Sequence, residues 1–295
     1  MNIVYFGKGA RGKICLQAIL SKGYLVKCFI GENVSDEGYI YAKNIGIRTL
    51  IAHSPNNSEL EKLLKKINAD LFILSGWSKI LRKNIIDLPK ITTINLHGGA
   101  LPNYRGASVI NWQIINGEKE GGCCIIEVDE GIDTGPILAQ KKYKITNSDT
   151  HYSILEKTLI IFPNMLINVL ENLSDRMNNK INQLNHEGKK YRKRKPEDSK
   201  ILWSKFTNYQ VYNLIRGMCG PFPWAFSYLA NQKIEFKTAK VIKDAKYEKP
   251  GKVIKITHEG ALISCLNSNI LIYELKIQNK LIKAKSYFKI NDQLI

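Results

Sequence analysis

The stretch Asn2-Ile-Val-Tyr-Phe-Gly-Lys-Gly-Ala-Arg-Gly12 sets an apolar run against a glycine-rich turn and then a helix-compatible segment. Ile3–Phe6 reads as a strand and Gly12–Ser21 as the helix that follows it. The same unit recurs downstream. Tyr24–Ile30, Ile47–Ala52, Asp70–Ser75 and Thr92–Leu96 read as further strands, with a helix over Ser58–Ile67. Short continuous apolar strands alternating with helices predict an α/β fold, a mostly parallel sheet covered by helices on both faces. Gly121–Val128 and Pro136–Tyr143 add two strands, and His151–Leu173 reads as one long amphipathic helix with Leu155, Leu159, Phe162, Leu166 and Leu170 in register.

The texture changes near residue 188. A short helix fits Asn208–Gly217. After it, Ala225–Leu229, Ile234–Ile242, Gly251–Thr257, Ala261–Cys265 and Ile270–Leu275 are strand-like runs separated by turn residues, the pattern of a small all-β barrel or sandwich. Charge changes at the same place. Residues 1–186 carry 22 basic and 17 acidic side chains, whereas 187–295 carry 22 and 9. The division expected is 1–188 for the α/β domain, 189–202 for a basic linker and 203–295 for the β domain. The run Lys189-Lys-Tyr-Arg-Lys-Arg-Lys195 reads as a solvated linker, although a net charge of +18 keeps a polyanionic partner in view.

Composition removes several classes. At 44% hydrophobic and 24% charged residues over 295 positions, the chain buries real cores and is not intrinsically disordered. The longest apolar stretch, around Leu159–Leu170, is interrupted by Pro163, Asn164 and Asn168, so no membrane span is expected. The N-terminus opens directly into a strand, with no export signal. Six cysteines without a CxxC pair read as reduced thiols, with no metal site. These features together predict a cytoplasmic protein.

Gly7-Lys-Gly9-Ala-Arg-Gly12 matches the GxGxxG fingerprint of a Rossmann-like turn, and Glu32 follows it by the spacing a ribose-binding acid would have. Glycines also serve any close strand-to-helix turn. The strongest chemistry lies elsewhere and needs no hydride. What the turn retains is an anion site at a helix N-terminus, with Lys8, Gly9 and Arg11 as candidate contacts to a substrate diphosphate.

That chemistry is in Asn95-Leu-His-Gly-Gly-Ala-Leu-Pro-Asn-Tyr-Arg-Gly106 and in Glu130-Gly-Ile-Asp-Thr-Gly-Pro136. Asn95 and His97, two apart at a strand's carboxyl end, point to one face, and carboxyl ends are where open α/β sheets place their sites. Asp133, in a glycine-flanked loop, could reach the same crevice. An amide and an imidazole can donate to an oxyanion, and a carboxylate can orient the imidazole or take a proton from an attacking amine. No serine or cysteine nucleophile is required.

Asn95-x-His97, Leu101-Pro-x-Tyr-Arg-Gly106 and Gly131-x-Asp-Thr-Gly135 resemble the motifs of the 10-formyltetrahydrofolate-dependent formyltransferases. The branches of this family act on methionyl-tRNA, glycinamide ribonucleotide and nucleotide-linked amino sugars. Arg194-Lys-Pro-Glu-Asp198, Ile201-x-Trp203, Tyr212-Asn-Leu-Ile-Arg216 and Pro223-x-Ala-Phe226 extend the resemblance into the OB-like barrel of the tRNA and sugar branches. It implies formyl transfer from N10-formyltetrahydrofolate to a primary amine. Asn95 and His97 would hold the developing oxyanion, and Asp133 would pair with His97 and help the amine lose its proton. The folate would lie along Ser75, Gly76, Trp77, Ser78, Lys79, Ile80 and Leu81 and along Val128, Asp129, Glu130 and Gly131. One departure is Gly99-Ala-Leu-Pro102, where the family commonly has Ser-Leu-Leu-Pro.

The resemblance also separates the branches. The tRNA enzymes carry a long basic loop after the second strand. Here that place is Gly31-Glu-Asn-Val-Ser-Asp-Glu-Gly38, short, with three carboxylates and no Lys or Arg. Tyr104, Arg105 and Gly106, followed by Asn111-Trp112 and Asn116-Gly-Glu118, read as the wall of a polar, aromatic pocket. The expected substrate is therefore the amine of a UDP- or dTDP-linked amino deoxysugar, of the kind used in bacterial surface glycans, with methionyl-tRNA as the alternative. No nucleic-acid or membrane partner is expected, and a homodimer fits the exposed surfaces.

Overall fold

The computed structural model describes residues 1–184, 188–220, 223–243 and 248–295. Secondary structure begins as β1 (Asn2–Gly7), α1 (Gly9–Ser21), β2 (Leu25–Gly31), α2 (Glu37–Asn44), β3 (Thr49–Ile51), α3 (Ser58–Ile67), β4 (Leu71–Ser75), α4 (Lys83–Ile86), β5 (Thr92–His97) and β6 (Arg105–Gly106). Next come α5 (Val109–Ile115), β7 (Glu120–Glu127), β8 (Ile137–Lys144), α6 (His151–Glu171), α7 (Leu173–Asn178) and β9 (Lys190–Tyr191). The remainder is α8 (Asn208–Gly217), β10 (Phe226–Leu229), β11 (Gln232–Ile242), β12 (Val253–Ile256), β13 (Ala261–Ser264), β14 (Asn269–Ile277), β15 (Lys280–Lys283) and α9 (Ala284–Tyr287).

The chain forms two compact units that are not contiguous in sequence. One holds residues 1–106, 121–143 and 156–191; the other holds 107–120, 144–155 and 192–295.

In the first unit a seven-stranded sheet runs in the order β3-β2-β1-β4-β5-β7-β8. Strands β3 to β5 pair in parallel, and β7 joins antiparallel with His97 opposite Cys124 and Asn95 opposite Ile126. The period of two along each strand divides the apolar residues between two faces. Ile3, Tyr5, Ile73, Ile94 and Leu96 join α1 and α6 in one buried cluster. Val4, Phe6, Phe72 and Leu74 join α3 and α4 in another. This alternation puts Asn95 and His97 on the face opposite Ile94 and Leu96. The strand order reverses between β1 and β4, which makes their carboxyl ends, Gly7 and Ser75, the switch point where such sheets bind ligands.

Helix α6 runs as the one long helix expected, with Pro163 inside it, although by length and composition it could cross a membrane. Phe162, Leu166, Val169 and Leu170 are nonetheless buried in the first core cluster.

In the second unit β10-β11-β14-β13-β12 form an antiparallel sheet with β15 added to β14. The last residues stitch its two edges together. Leu294 bridges Leu229 of β10, and Gln293 bridges Lys252 beside β12. Trp203, Ile215, Phe236, Ile263 and Ile272 fill the interior. Trp203 also donates its indole N–H to Ser227 Oγ at 2.8 Å, so a large aromatic is buried without an unsatisfied donor.

His151, at the start of α6, is buried in this unit. Burial, with the Arg194 guanidinium adding to it, pushes its imidazole from the ordinary 6.5 down to about 4. The unfolded chain takes up a proton below pH 6.5 while the folded imidazole stays neutral. The stability this group contributes is therefore complete above that pH and is lost as pH falls towards 4, about 3 kcal/mol at most. Urea unfolding followed from pH 7 to pH 4.5 should show the loss, and His151→Phe should flatten the slope.

Candidate active site

The carboxyl end of β5 delivers two polar side chains to one face. His97 is buried and Asn95 partly so. Asp133 comes from the loop between β7 and β8 with φ 53°. Aspartate tolerates this left-handed conformation better than most residues, and residues held there gather at functional sites. The three converge. Asn95 Nδ2 donates to Asp133 Oδ1 at 3.2 Å, and His97 Nδ1 lies 3.3 Å from Asp133 Oδ2. The Gly106 amide donates to Oδ2 at 2.8 Å.

His97 Nε2 lies 2.5 Å from the Tyr104 carbonyl oxygen. Both ring nitrogens thus face oxygen acceptors. A neutral imidazole can donate to only one of them, whereas the imidazolium donates to both.

The loop that carries Asp133 is tightly built. Asp129 accepts from the Gly131 amide at 3.0 Å and from Thr134 Oγ1 at 2.7 Å. A Cβ on Gly135 would stand 1.9 Å from the Glu127 carbonyl oxygen, which accounts for glycine there. On the far side Gln183 Nε2 donates to the carbonyls of Asp133 and Gly135 at 3.0 and 2.7 Å. Sequence reading does not find Gln183. Its partners lie about fifty residues away, and no motif or periodicity singles it out.

Tyr104 and Arg105 are both buried and do not form an open pocket wall. The Tyr104 ring stacks on Tyr191 at 4.8 Å, and Arg105 donates to Gln183 Oε1 from Nε at 3.1 Å and Nη2 at 3.0 Å. Asn111 and Trp112, expected beside them, belong to the second unit. There Asn111 donates to the Gly217 carbonyl and Trp112 to the Arg192 carbonyl. Their polar atoms serve packing of that unit.

The expected anion cluster at α1 does not assemble. The Gly9 amide donates to Asp36 Oδ2 at 2.7 Å, so the helix N-terminus already holds a carboxylate. Lys8 Nζ pairs with Glu32 at 2.7 Å. Arg11 turns into the core, where it donates to the Leu96 carbonyl and lies over the Phe162 ring at 4.9 Å. Each basic group found an oxygen or a ring within the fold.

The segment after β4 opens at the switch point. Ser75 is buried and its Oγ donates to the Arg11 carbonyl. Gly76 has φ 72°, and a Cβ there would meet the Lys8 carbonyl oxygen at 2.3 Å. Ser78 is clasped through its amide and hydroxyl by Glu32, each at 2.7 Å. Burial raises the Glu32 carboxyl, but the Lys8 ammonium and then these Ser78 bonds hold it below its usual range. Lys79 caps the carbonyls of Ala52 and His53, and Ile80 is exposed. Leu81 is buried in one cluster, with Trp77 and Val128 packed against it. Trp77 Nε1 is a buried donor with no acceptor among the described residues. It offers a hydrogen bond that a heterocycle in this slot could take. Asp129 spends its carboxylate within its own loop, while Glu130 is exposed.

The basic run is not a free linker. Residues 190–191 form β9, paired in parallel with β6, and Arg192 forms a fork with Asp198.

Two sequence profiles match: formyl transferase over residues 30–170 and formyl transferase, C-terminal domain, over 193–292. The methionyl-tRNA formyltransferase of Thermodesulfovibrio yellowstonii is 30% identical over 268 residues, 88% of this chain and 85% of that protein. Two solved structures share the fold. The N-formyltransferase of Helicobacter canadensis, in complex with folinic acid and dTDP-3-aminofucose, aligns with TM-score 0.67 at 21% identity, over 92% of this chain and 98% of that one. HypX of Aquifex aeolicus with tetrahydrofolic acid aligns with TM-score 0.63 at 16% identity over 96% of this chain. This chain spans about half of HypX, 46% of its length.

Proposed function

The chain belongs to the formyl transferase family, and from that premise we propose that it formylates the primary amine of a UDP- or dTDP-linked amino deoxysugar, in bacterial surface glycan synthesis. N10-formyltetrahydrofolate supplies the formyl group as an activated acyl equivalent. Trp77, Leu81 and Val128 would hold it at the switch point, with the buried Trp77 N–H as the donor it satisfies.

The roles of the converging side chains follow from what each can donate or accept. Asn95 Nδ2 offers a hydrogen bond to the negative charge that develops on the formyl oxygen as the amine attacks, and His97 offers a second once Nε2 leaves the Tyr104 carbonyl. Asp133 takes a proton from that amine, directly or through water, and pairs with His97. The buried setting strengthens each of these contacts relative to water.

The observation that carries the sugar reading is the connection between β2 and α2. It is residues 32–36, five residues with no Lys or Arg. Glu32 and Asp36 hold their carboxylates at the carboxyl ends of the parallel strands, where they clasp Ser78 and cap α1. A segment this short and acidic offers nothing to an acceptor stem's phosphates. Methionyl-tRNA is favoured instead by the basic second half of the chain and by the name of the T. yellowstonii relative.

Two measurements separate these substrates. Thermal unfolding with tetrahydrofolate and a panel of UDP- and dTDP-sugars should show a midpoint rise with one nucleotide class. A rise with initiator methionyl-tRNA alone would overturn the sugar reading. Independently, Lys189, Lys190, Lys193 and Lys195 are exposed. Reversing all four to Glu should leave turnover of a small substrate within about twofold, since the side chains are exposed and screened by salt. A collapse of activity would point to a polyanion.

A further inference from the structure

Gln183 lies in the segment after α7, which Ile181 ties to Ile137 at the start of β8 through two backbone hydrogen bonds of 2.8 and 2.9 Å. Its amide is used at both ends. Nε2 donates to the carbonyls of Asp133 and Gly135, and Oε1 accepts twice from buried Arg105. Two donor hydrogens and two acceptor lone pairs are all that a glutamine amide has, and here all four are engaged. Arg105 is flanked by the two backbone groups that face the site: the Tyr104 carbonyl lies against His97 Nε2, and the Gly106 amide donates to Asp133 Oδ2.

We propose that Gln183 is a positioning residue that holds the Asp133 backbone in its left-handed conformation and locks it to the Tyr104–Gly106 segment that braces His97. The contacts close a ring. It runs from the Asp133 carboxylate to the His97 imidazole, to the Tyr104 carbonyl, through Arg105 to Gln183, and back to the Asp133 carbonyl. Left-handed backbone at a non-glycine persists only where the surroundings over-determine it. The pair of N–H bonds from Gln183, one on each side of Thr134, supplies that determination. Because Gln183 touches no reacting atom, its loss is felt as misplacement of Asp133 relative to His97. This inference rests on the assignment of Asp133 and His97 to formyl transfer.

Two variants test it. Gln183→Glu keeps acceptors for Arg105 but sets a carboxylate against two carbonyls, and Gln183→Ala removes both ends. Each should lower kcat by roughly 10–100-fold, the scale of a misplaced catalytic group, with KM for donor and amine within about twofold. The imidazole nitrogen resonances of His97, assigned by their loss in His97→Asn, should move in both variants. Gln183→Glu retains the Arg105 pairing and is the variant that decides the matter if Gln183→Ala fails to fold. Wild-type kcat and unmoved His97 resonances in Gln183→Glu would overturn the proposal. So would a fall in thermal midpoint accompanied by raised KM and unchanged kcat, the mark of a merely structural residue. If Asp133→Asn proves fully active while the Gln183 variants still move His97, the catalytic reading falls and the positioning stands.

Discussion

Asp133→Asn is expected to lower kcat by about 10³-fold, within the range that a positioned proton acceptor contributes, while the thermal midpoint and donor binding stay near wild type. The substitution keeps the backbone, at the cost of turning an amide NH2 towards the Asn95 Nδ2 donor that Oδ1 accepts. Asparagine accepts the left-handed φ of 53° as readily as aspartate, and its carbonyl oxygen can still take the Gly106 amide. What disappears is the negative charge beside His97 Nδ1. The ring then loses its carboxylate partner, and the attacking amine loses its proton acceptor. His97→Asn should cost a comparable factor by removing the imidazole that pairs with Asp133. Steady-state kinetics paired with a thermal-shift titration of tetrahydrofolate separates chemistry from binding, and near-normal turnover in either variant would remove these residues from the mechanism.

The second large effect is structural. Gly106→Ala should destabilise the protein by about 3 kcal/mol or more, from backbone strain and a backbone clash together. It should also lower turnover. The added Cβ would lie 2.1 Å from the Tyr191 carbonyl oxygen, at φ 96°. The obstacle is main chain, so β6 and β9 must part and the Tyr104–Tyr191 stack must loosen. The Gly106 amide that holds Asp133 moves with them. Thermal unfolding and kcat measured on one preparation check both consequences. An unchanged midpoint would show that the strand pair yields without cost.

The parallel sheet was legible because its strands are unbroken apolar runs between glycine and helix signals, as in Ile3–Phe6 and Asp70–Ser75. Asn95 and His97 were legible as a pair because a strand's period of two forces them to one face. Helix α2 was not. Asp36 caps it by accepting from the Gly38 amide, and buried Ala42 supports it, but a glycine and two tyrosines in eight residues carry little helical propensity. The anion cluster misled for a related reason. Spacing placed Lys8, Gly9 and Arg11 on one turn, but Glu32, Asp36 and the Leu96 carbonyl claimed their donors, and those partners come from the β2–α2 connection and from β5. The basic run read as solvated because lysine dominates it, whereas Tyr191 anchors it through a long-range stack and Arg192 through the nearby Asp198. Gln183 belongs to the same class. Its meaning is entirely in contacts that the fold creates.

Transfer of a labelled formyl group from N10-formyltetrahydrofolate tests the central claim most directly. The chain would be offered UDP- and dTDP-linked amino deoxysugars and initiator methionyl-tRNA in parallel, with Asp133→Asn as the control. The prediction is label on the amine of one nucleotide sugar, none on the tRNA, and almost none with the variant. Label on methionyl-tRNA alone would contradict the substrate assigned here, and label transferred equally well by Asp133→Asn would contradict the mechanism.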